Sequence, residues 1–202
     1  MMKTKKAIEV AVLLLAAGSS ERMGEKNKLL LPVDGEAMVL GALRAAYGCG
    51  ADLLCLLTGH ERESILTLAG PFNFTEAYNP DFMLGQDKSI AVGLEKLQRS
   101  NRSVLVMLAD QPRLSAALLS ELILAHRQDG GHRALVPTYR GQWGTPRILP
   151  AVLVSQAVLA GGGLSMRKVL SESANVQLYE VDDRAVVVDI DTPDDYLQFT
   201  QG

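Results

Sequence analysis

Cysteine is nearly missing from this 202-residue sequence, where Cys49 and Cys55 are the only two. Both sit among apolar neighbours at a spacing that fits no zinc pattern, so neither a disulfide framework nor a structural zinc site organises the chain. They read as core thiols in a reducing cytoplasm. Aromatics are scarce at 5%, with one Trp, and the net charge is −3. No basic stripe with interleaved aromatics is present, which argues against a nucleic-acid partner. Long apolar runs are missing as well: the run at 10–17 is about eight residues, far short of a membrane span. The start MMKTKKAIEVAVLLLAAGSS imitates a secretory leader, but Glu9 interrupts its apolar part. Its small residues also lead straight into a charged loop. It is therefore read as a first core strand behind a short basic tail. Repeats and low-complexity tracts are absent, and no linker divides the chain.

What is present suits one α/β domain with a sizeable core, the sequence being 48% hydrophobic and 21% charged. Apolar runs at 10–17, 52–58, 74–77, 103–109, 134–137, 176–181 and 185–190 read as strands. Helical spacing recurs at 37–49, 61–69, 89–99, 116–127, 165–171 and partly 149–158, and Thr192-Pro193-Asp194-Asp195 reads as a helix start. The alternation through residue 127 predicts a mainly parallel sheet with right-handed crossovers. Ligands should then collect at the carboxyl ends of the strands. The chain is expected to divide at about 112, with one ligand held by 7–112 and its reaction partner, with the closing of the site, by 113–202.

The stretch that organises the rest follows the first strand. Leu15-Ala16-Ala17 empties into Gly18-Ser19-Ser20, and Arg22, Gly24, Lys26 and Lys28 follow within one short loop. Gly-Ser-Ser lets the backbone turn with positive φ and aim successive N–H groups at one point. Arg22 and Lys28 add fixed positive charge, as a triphosphate requires. Five residues separate Gly18 from Gly24, and Glu25 follows, so this is no Walker loop; Gly-x-Gly-x-x-Gly is absent too. Asp110 ends the apolar run 103–109, and Asp189 and Asp191 lie in Val-Asp-Ile-Asp-Thr-Pro. If 185–190 is a strand, alternation puts both of those carboxylates on one face. Mg²⁺ takes one or two protein carboxylates, which makes Asp110 with Asp189 or Asp191 the candidate ligand set. Taken singly, Asp110 also fits a turn before Pro112, and Asp189 and Asp191 fit a solvated strand end. Gly59, after the second strand, is a further candidate nucleotide contact.

The pattern Leu-Ala-Ala-Gly-x-Ser-x-Arg-Met-Gly-x-x-x-Lys-Leu-Leu resembles the signature of nucleotidyltransferases that activate small molecules with NTPs. Further segments follow in the same order. Asn79-Pro80 with Gly85-x-x-x-Ser89 resembles the second nucleotide-contacting segment, and Asp110-Gln111-Pro112 the metal-binding Asp-x-Pro. Gly144-x-Pro146 resembles the acceptor-side turn, and residues 189–195 the closing motif. The branch most similar is molybdenum cofactor cytidylyltransferase. That resemblance implies a single-domain, Rossmann-like three-layer α/β/α fold of the glycosyltransferase-A-like kind with a mostly parallel sheet. It implies transfer of CMP from CTP to the terminal phosphate of molybdopterin-bound molybdenum, with release of pyrophosphate and Mg²⁺ or Mn²⁺ as the metal. Arg22, Lys28 and Asp110 would be catalytic. Leu15, Ala16, Ala17, Gly18, Ser20, Gly59, Asn79, Gly85 and Ser89 would surround the nucleotide, and Gln111, Trp143, Gly144, Pro146 and Arg167 the acceptor. A molybdoenzyme or chaperone would receive the product.

Ala17 matches the cytidylyl branch, where the guanylyl branch usually has Gly. Two stretches depart from the pattern: Trp143 and Arg147 flank the acceptor-side turn, and residues 161–167 read GGGLSMR, keeping only Arg167 of a Gly-Asp-x-Gly-Ala-Arg stretch. Trp143 either stacks on a pterin-like ring or is a half-buried loop aromatic. The alternatives are another NTP or acceptor (GTP with molybdopterin, or a sugar phosphate) and a non-catalytic nucleotide- or cofactor-binding protein. The last would be expected to lose Arg22, Lys28 or Asp110, and all three are present. A phosphate acceptor is already largely dianionic at neutral pH and needs no general base. His60, His126 and His132 accordingly form no constellation.

Overall fold

The computed structural model describes residues 8–24, 27–99, 102–163 and 165–201. Lys26 and the side chain of Arg167 lie outside the described residues. The first strand, β1 (Glu9–Ala16), is a run of β-branched and leucine side chains with both faces covered, as a central parallel strand requires. After the charged loop come the two-residue hairpin strands β2 (Pro32–Val33) and β3 (Glu36–Ala37), then α1 (Met38–Gly48), β4 (Leu53–Thr58), α2 (Arg62–Ala69) and β5 (Thr75–Tyr78). Next follow α3 (Gln86–Leu97), β6 (Arg102–Leu108), α4 (Ala116–Gln128), β7 (Ala134–Tyr139), β8 (Gln142–Trp143) and β9 (Arg147–Leu149). The chain finishes with α5 (Ala151–Leu159), α6 (Met166–Glu172), β10 (Val176–Glu180) and α7 (Pro193–Gln201).

The main sheet runs β10-β7-β9-β6-β1-β4-β5, with β8 paired to β7. β1 lies parallel between β6 and β4, and β5 continues the parallel order beyond β4. The exceptions are β9, antiparallel between β6 and β7, and β8, antiparallel to β7. Alternation along β1 divides the core between the two faces of the sheet. Val10, Val12, Leu14 and Ala16 pack with α1 and α4, whereas Ala11, Leu13 and Leu15 pack with α3 and α5. This three-layer arrangement is the expected fold. Among the described residues no helix is long and apolar enough to cross a membrane.

Two expectations are corrected. Residues 185–190 do not form a strand. Asp183 caps Ala185 N–H at 2.8 Å and winds Arg184–Val187 into a 3-10 turn. The segment then makes isolated bonds to neighbouring loops in place of a ladder: Val186 C=O accepts from Thr145 N–H at 2.8 Å, and Ile190 N–H donates to Asp110 C=O at 3.0 Å. β9 is the second correction, since its three residues sit within 147–149, where a turn and a helix were expected to meet. Helix α3 also starts earlier than its apolar spacing implies, directly after Gly85, whose φ of 102° no other residue adopts easily.

Candidate active site

β1 and β6 are hydrogen-bonded neighbours, so their carboxyl ends open at the same edge of the sheet. The loop after β1 turns through Ser20, which is left-handed at φ 57°; Gly18 keeps an ordinary φ, so the positive φ belongs to the serine. An added Cβ at Gly18 would meet nothing within 4 Å, and its backbone faces open cleft. Ser20 Oγ accepts from Lys28 N–H at 3.2 Å, and Asn27 Oδ1 accepts from Leu29 N–H at 3.0 Å. These two bonds fix the backbone from which the Lys28 side chain projects.

The Lys28 ammonium lies 2.6 Å from Asp110 Oδ2 and 2.8 Å from Asp191 Oδ1, and Arg22 reaches the other oxygen of Asp191 at 2.9 Å. Asp110 is delivered by β6. Asp191 is delivered from 163 residues away by the closing segment, which is anchored twice. Ile190 bonds the Asp110 carbonyl, and Asp195 Oδ2 accepts from Asp191 N–H and Thr192 N–H at 3.1 and 2.8 Å. Burial alone would pull the Lys28 pKa down, but Asp110 and Asp191 hold it above its usual value. Burial pushes Asp191 up, and the hydrogen bonds and charges of Lys28 and Arg22 bring it below the usual carboxylate range. Asp189 is pushed the other way by burial and by the charges of Asp191 and Asp110. Two carboxylates a residue apart are thus electrostatically unlike, because only Asp191 has cations bonded to it.

These groups line a cleft of about 540 Å³. Of the residues selected from sequence it takes in Leu15, Ala17, Gly18, Ser20, Arg22, Lys28, Gly85, Ser89, Asp110, Asp189 and Asp191. Ala16, Gly59 and Asn79 do not line it. Ala16 turns to the opposite face of the sheet. Gly59 packs so closely that a Cβ would lie 2.8 Å from the Ala17 carbonyl oxygen. Asn79 is buried beneath, with Nδ2 donating to Ser89 Oγ at 2.9 Å and Oδ1 accepting from Asp81 N–H at 3.0 Å. It therefore positions Ser89 from below. Gln86, Phe82 and Met83 also line the cleft and were not selected from sequence. The available signal was the apolar run Phe82-Met83-Leu84 directly before Gly85.

A second cleft of about 360 Å³ adjoins the first and shares Leu15, Gln86, Leu108 and Asp189 with it. Gln111, Trp143 and Gly144 line it, together with Asp87, Gln142, Thr145, Arg147, Ser165 and Met166. Gln111 Oε1 accepts from Thr145 Oγ1 at 2.8 Å, so its carbonyl is engaged with the turn. Pro146 follows a cis peptide and does not line the cleft. Gly144 is required sterically: a Cβ there would lie 2.4 Å from the Val186 carbonyl oxygen.

The donor set suits a hard divalent cation, since carboxylate oxygens are the ligands that Mg²⁺ and Mn²⁺ prefer. One orphaned atom points the same way. Asp110 Oδ1 is buried without a hydrogen-bond partner, a costly condition for a carboxylate oxygen that a bound cation would relieve. Among the described residues no three His, Cys, Asp or Glu side chains converge on one metal-sized point. The three histidines stand apart from all this. His126 is fully buried, with Nε2 2.9 Å from Ser103 Oγ; His60 packs near the Phe82 ring; and His132 lies beyond α4.

The family model for the MobA-like NTP transferase domain matches residues 12–177, a span that carries the loop, Asp110 and the acceptor-side turn. The chain belongs to this family. As an NTP transferase it is 26% identical over 186 residues to molybdenum cofactor cytidylyltransferase of Escherichia coli K12, covering 92% of each chain. It is 35% identical over 132 residues to the bifunctional protein GlmU of Kineococcus radiotolerans, but spans only 27% of that protein's length. The crystal structure of Rv0371c from Mycobacterium tuberculosis H37Rv has the same fold, with a TM-score of 0.84 at 24% identity over 97% of this chain and 99% of that one. Rv0371c is also known as a manganese complex, with a TM-score of 0.78 at 22% identity over 96% and 99%.

Proposed function

We propose that this nucleotidyltransferase moves CMP from CTP to the terminal phosphate of a molybdopterin-type molybdenum cofactor, releasing pyrophosphate. The observation that carries the reading is the Lys28–Asp110–Asp191–Arg22 cluster at the joined ends of β1 and β6. It combines cations for a triphosphate with carboxylates for its metal. Ala17 and the full-length likeness to a cytidylyltransferase support CTP and this acceptor.

Each part of the chain then has a task. The backbone of Gly18, Ser19 and Ser20 faces the phosphates. Arg22 and Lys28 neutralise charge on the departing pyrophosphate. Asp110, with Asp191 or Asp189, would hold Mg²⁺ or Mn²⁺, which when bound makes the α-phosphorus more electrophilic. Leu15, Ala17, Gly85 and Ser89 border the nucleoside, while Asn79 and Gly59 shape the floor beneath them. The second cleft takes the acceptor, with Trp143 as a stacking surface and Gln111, Gly144 and Pro146 as the turn; Arg167 is assigned to the acceptor by the sequence resemblance alone. Asp189 stands in the wall between the clefts, where acceptor phosphate and α-phosphorus must meet. The acceptor phosphate attacks as a dianion and needs no side-chain base.

A second reading keeps the nucleotide half and changes the acceptor to another phosphorylated molecule. It is favoured by the two acceptor-side departures, Trp143 to Arg147 and residues 161–167. Pyrophosphate release, measured with each of the four NTPs and Mg²⁺ or Mn²⁺, with and without molybdopterin-type cofactor, separates the two. Release with CTP that depends on the cofactor establishes the first. Metal-dependent NTP binding without release on that acceptor establishes the second.

A further inference from the structure

We propose that Lys28 is the resident counter-cation of the Asp110–Asp191 pair, excluding a bare divalent ion until a triphosphate draws the ammonium away. This rests on the reading of the cleft as a site for an NTP and its metal. It concerns the order in which those two partners are accepted.

The geometry makes Lys28 a competitor as well as a phosphate ligand. Its ammonium bonds Asp110 Oδ2 and Asp191 Oδ1 together, at 2.6 and 2.8 Å. Arg22 occupies the remaining oxygen of Asp191. Only Asp110 Oδ1 is left without a partner. A divalent ion shared by Asp110 and Asp191 needs the space between them, and that space holds a cation already. The Lys28 side chain is only 12% exposed and that of Asp110 only 15%, so water screens the resulting repulsion poorly. Within the cluster itself the two carboxylates Asp110 and Asp191 are matched by the two cations Lys28 and Arg22, so that pair offers a bare divalent ion no net negative charge.

Lys28 is also built to move its head without moving its anchor. Ser20 Oγ and Asn27 Oδ1 hold the backbone at Lys28 N–H and Leu29 N–H. Beyond that anchor the side chain is a flexible four-carbon stem. Gly18 and Ser19 line the same cleft, so phosphates placed there would lie within the sweep of the stem. A polyanion would be a better partner for the ammonium than a carboxylate that a metal can satisfy. Nucleotide and metal then bind with positive coupling, and by linkage each tightens the other equally.

The test titrates Mn²⁺ into nucleotide-free protein and follows the electron paramagnetic resonance signal of the free ion. Wild type is expected to bind weakly, Lys28→Met tighter by about tenfold or more, and Lys28→Met/Asp110→Asn no better than wild type. Thermal melting with and without Mn²⁺ reads the same coupling: Lys28→Met should gain far more from the ion than wild type, even if it melts low or folds only with the ion. Equal affinity of wild type and Lys28→Met overturns the proposal. So does a gain that survives in the double variant, because the ion would then sit elsewhere. No acceptor and no turnover enter the measurement. A failed CMP transfer with the tenfold gain intact therefore faults the substrate reading alone, and an active transferase whose Lys28→Met variant gains nothing faults this inference alone.

Discussion

At the scale of single residues, what a side chain contributes to stability and what it contributes to chemistry separate cleanly in this site. Arg22 is 69% exposed and its ion pair with Asp191 is solvated; exposed pairs of this kind are worth at most about 1 kcal/mol. Arg22→Ala should leave the urea midpoint almost unmoved while raising the KM for the NTP about tenfold in pyrophosphate-release assays. Asp110 is the opposite case. It is largely buried, its one paired oxygen faces Lys28, and the other has no partner. Asp110→Asn should lower turnover by about a hundredfold or more while the circular dichroism spectrum and the melting transition persist. Loss of the folded state in that variant would assign Asp110 to the turn before Pro112 instead. Lys28, Asp110 and Arg22 could be singled out in the sequence because the proposed chemistry restricts which residue types can serve it. Asn27 and Ser20 carry out a different task, bonding backbone N–H groups. Many residue pairs can do that, so no pattern announces it.

At the scale of elements, legibility followed the local pattern. β1, β4, β6, α1 and α4 stand where their apolar periodicity put them, because each is long and buried along a regular face. β9 has three residues, and its antiparallel place between β6 and β7 depends on partners far away in sequence. Residues 185–190 alternate like a strand, yet Asp183 caps a 3-10 turn there and the segment bonds single groups of neighbouring loops instead of a strand. Asp189 and Asp191 nevertheless both reach the cleft, from an extended but unpaired segment. Helix α4 carries a prediction of its own. His126 lies in its last turn against Ser103 of β6, where burial depresses its pKa to about 4; Asp129 opposes the shift, and Arg127 and His132 add to it. A native pKa below the unfolded value near 6.5 means that the unfolded chain takes up the proton first. Stability is then complete above pH 6.5 and falls as the pH drops from there towards 4, by about 2 kcal/mol at pH 5 and about 3 kcal/mol in all. Urea melts at pH 8 and pH 5 measure this, and His126→Gln should flatten the difference.

At the scale of the whole molecule, one sheet joins the proposed nucleotide side to the proposed acceptor side. The strands from β5 to β6 carry the first cleft, β9, β7 and β8 carry the second, and the two share a wall of Leu15, Gln86, Leu108 and Asp189. The parallel core was legible from the alternation of strands with helices, whereas the antiparallel insertion was not. The joining of distant segments at the cluster has a consequence in time. Arg22 and Lys28 meet Asp191 across 169 and 163 residues of chain, whereas α1, α3 and α4 form from neighbours within a few turns. Closing so long a loop is entropically slow to be rewarded. In refolding from denaturant, far-UV ellipticity should therefore recover ahead of Mn²⁺–nucleotide binding, with a lag between the two signals. Simultaneous recovery would mean that the closing segment docks as the sheet itself collapses. A chain caught during that lag would have its helices and its charged loop but no second carboxylate, and so would be folded to the eye of a spectrometer and blind to its substrate.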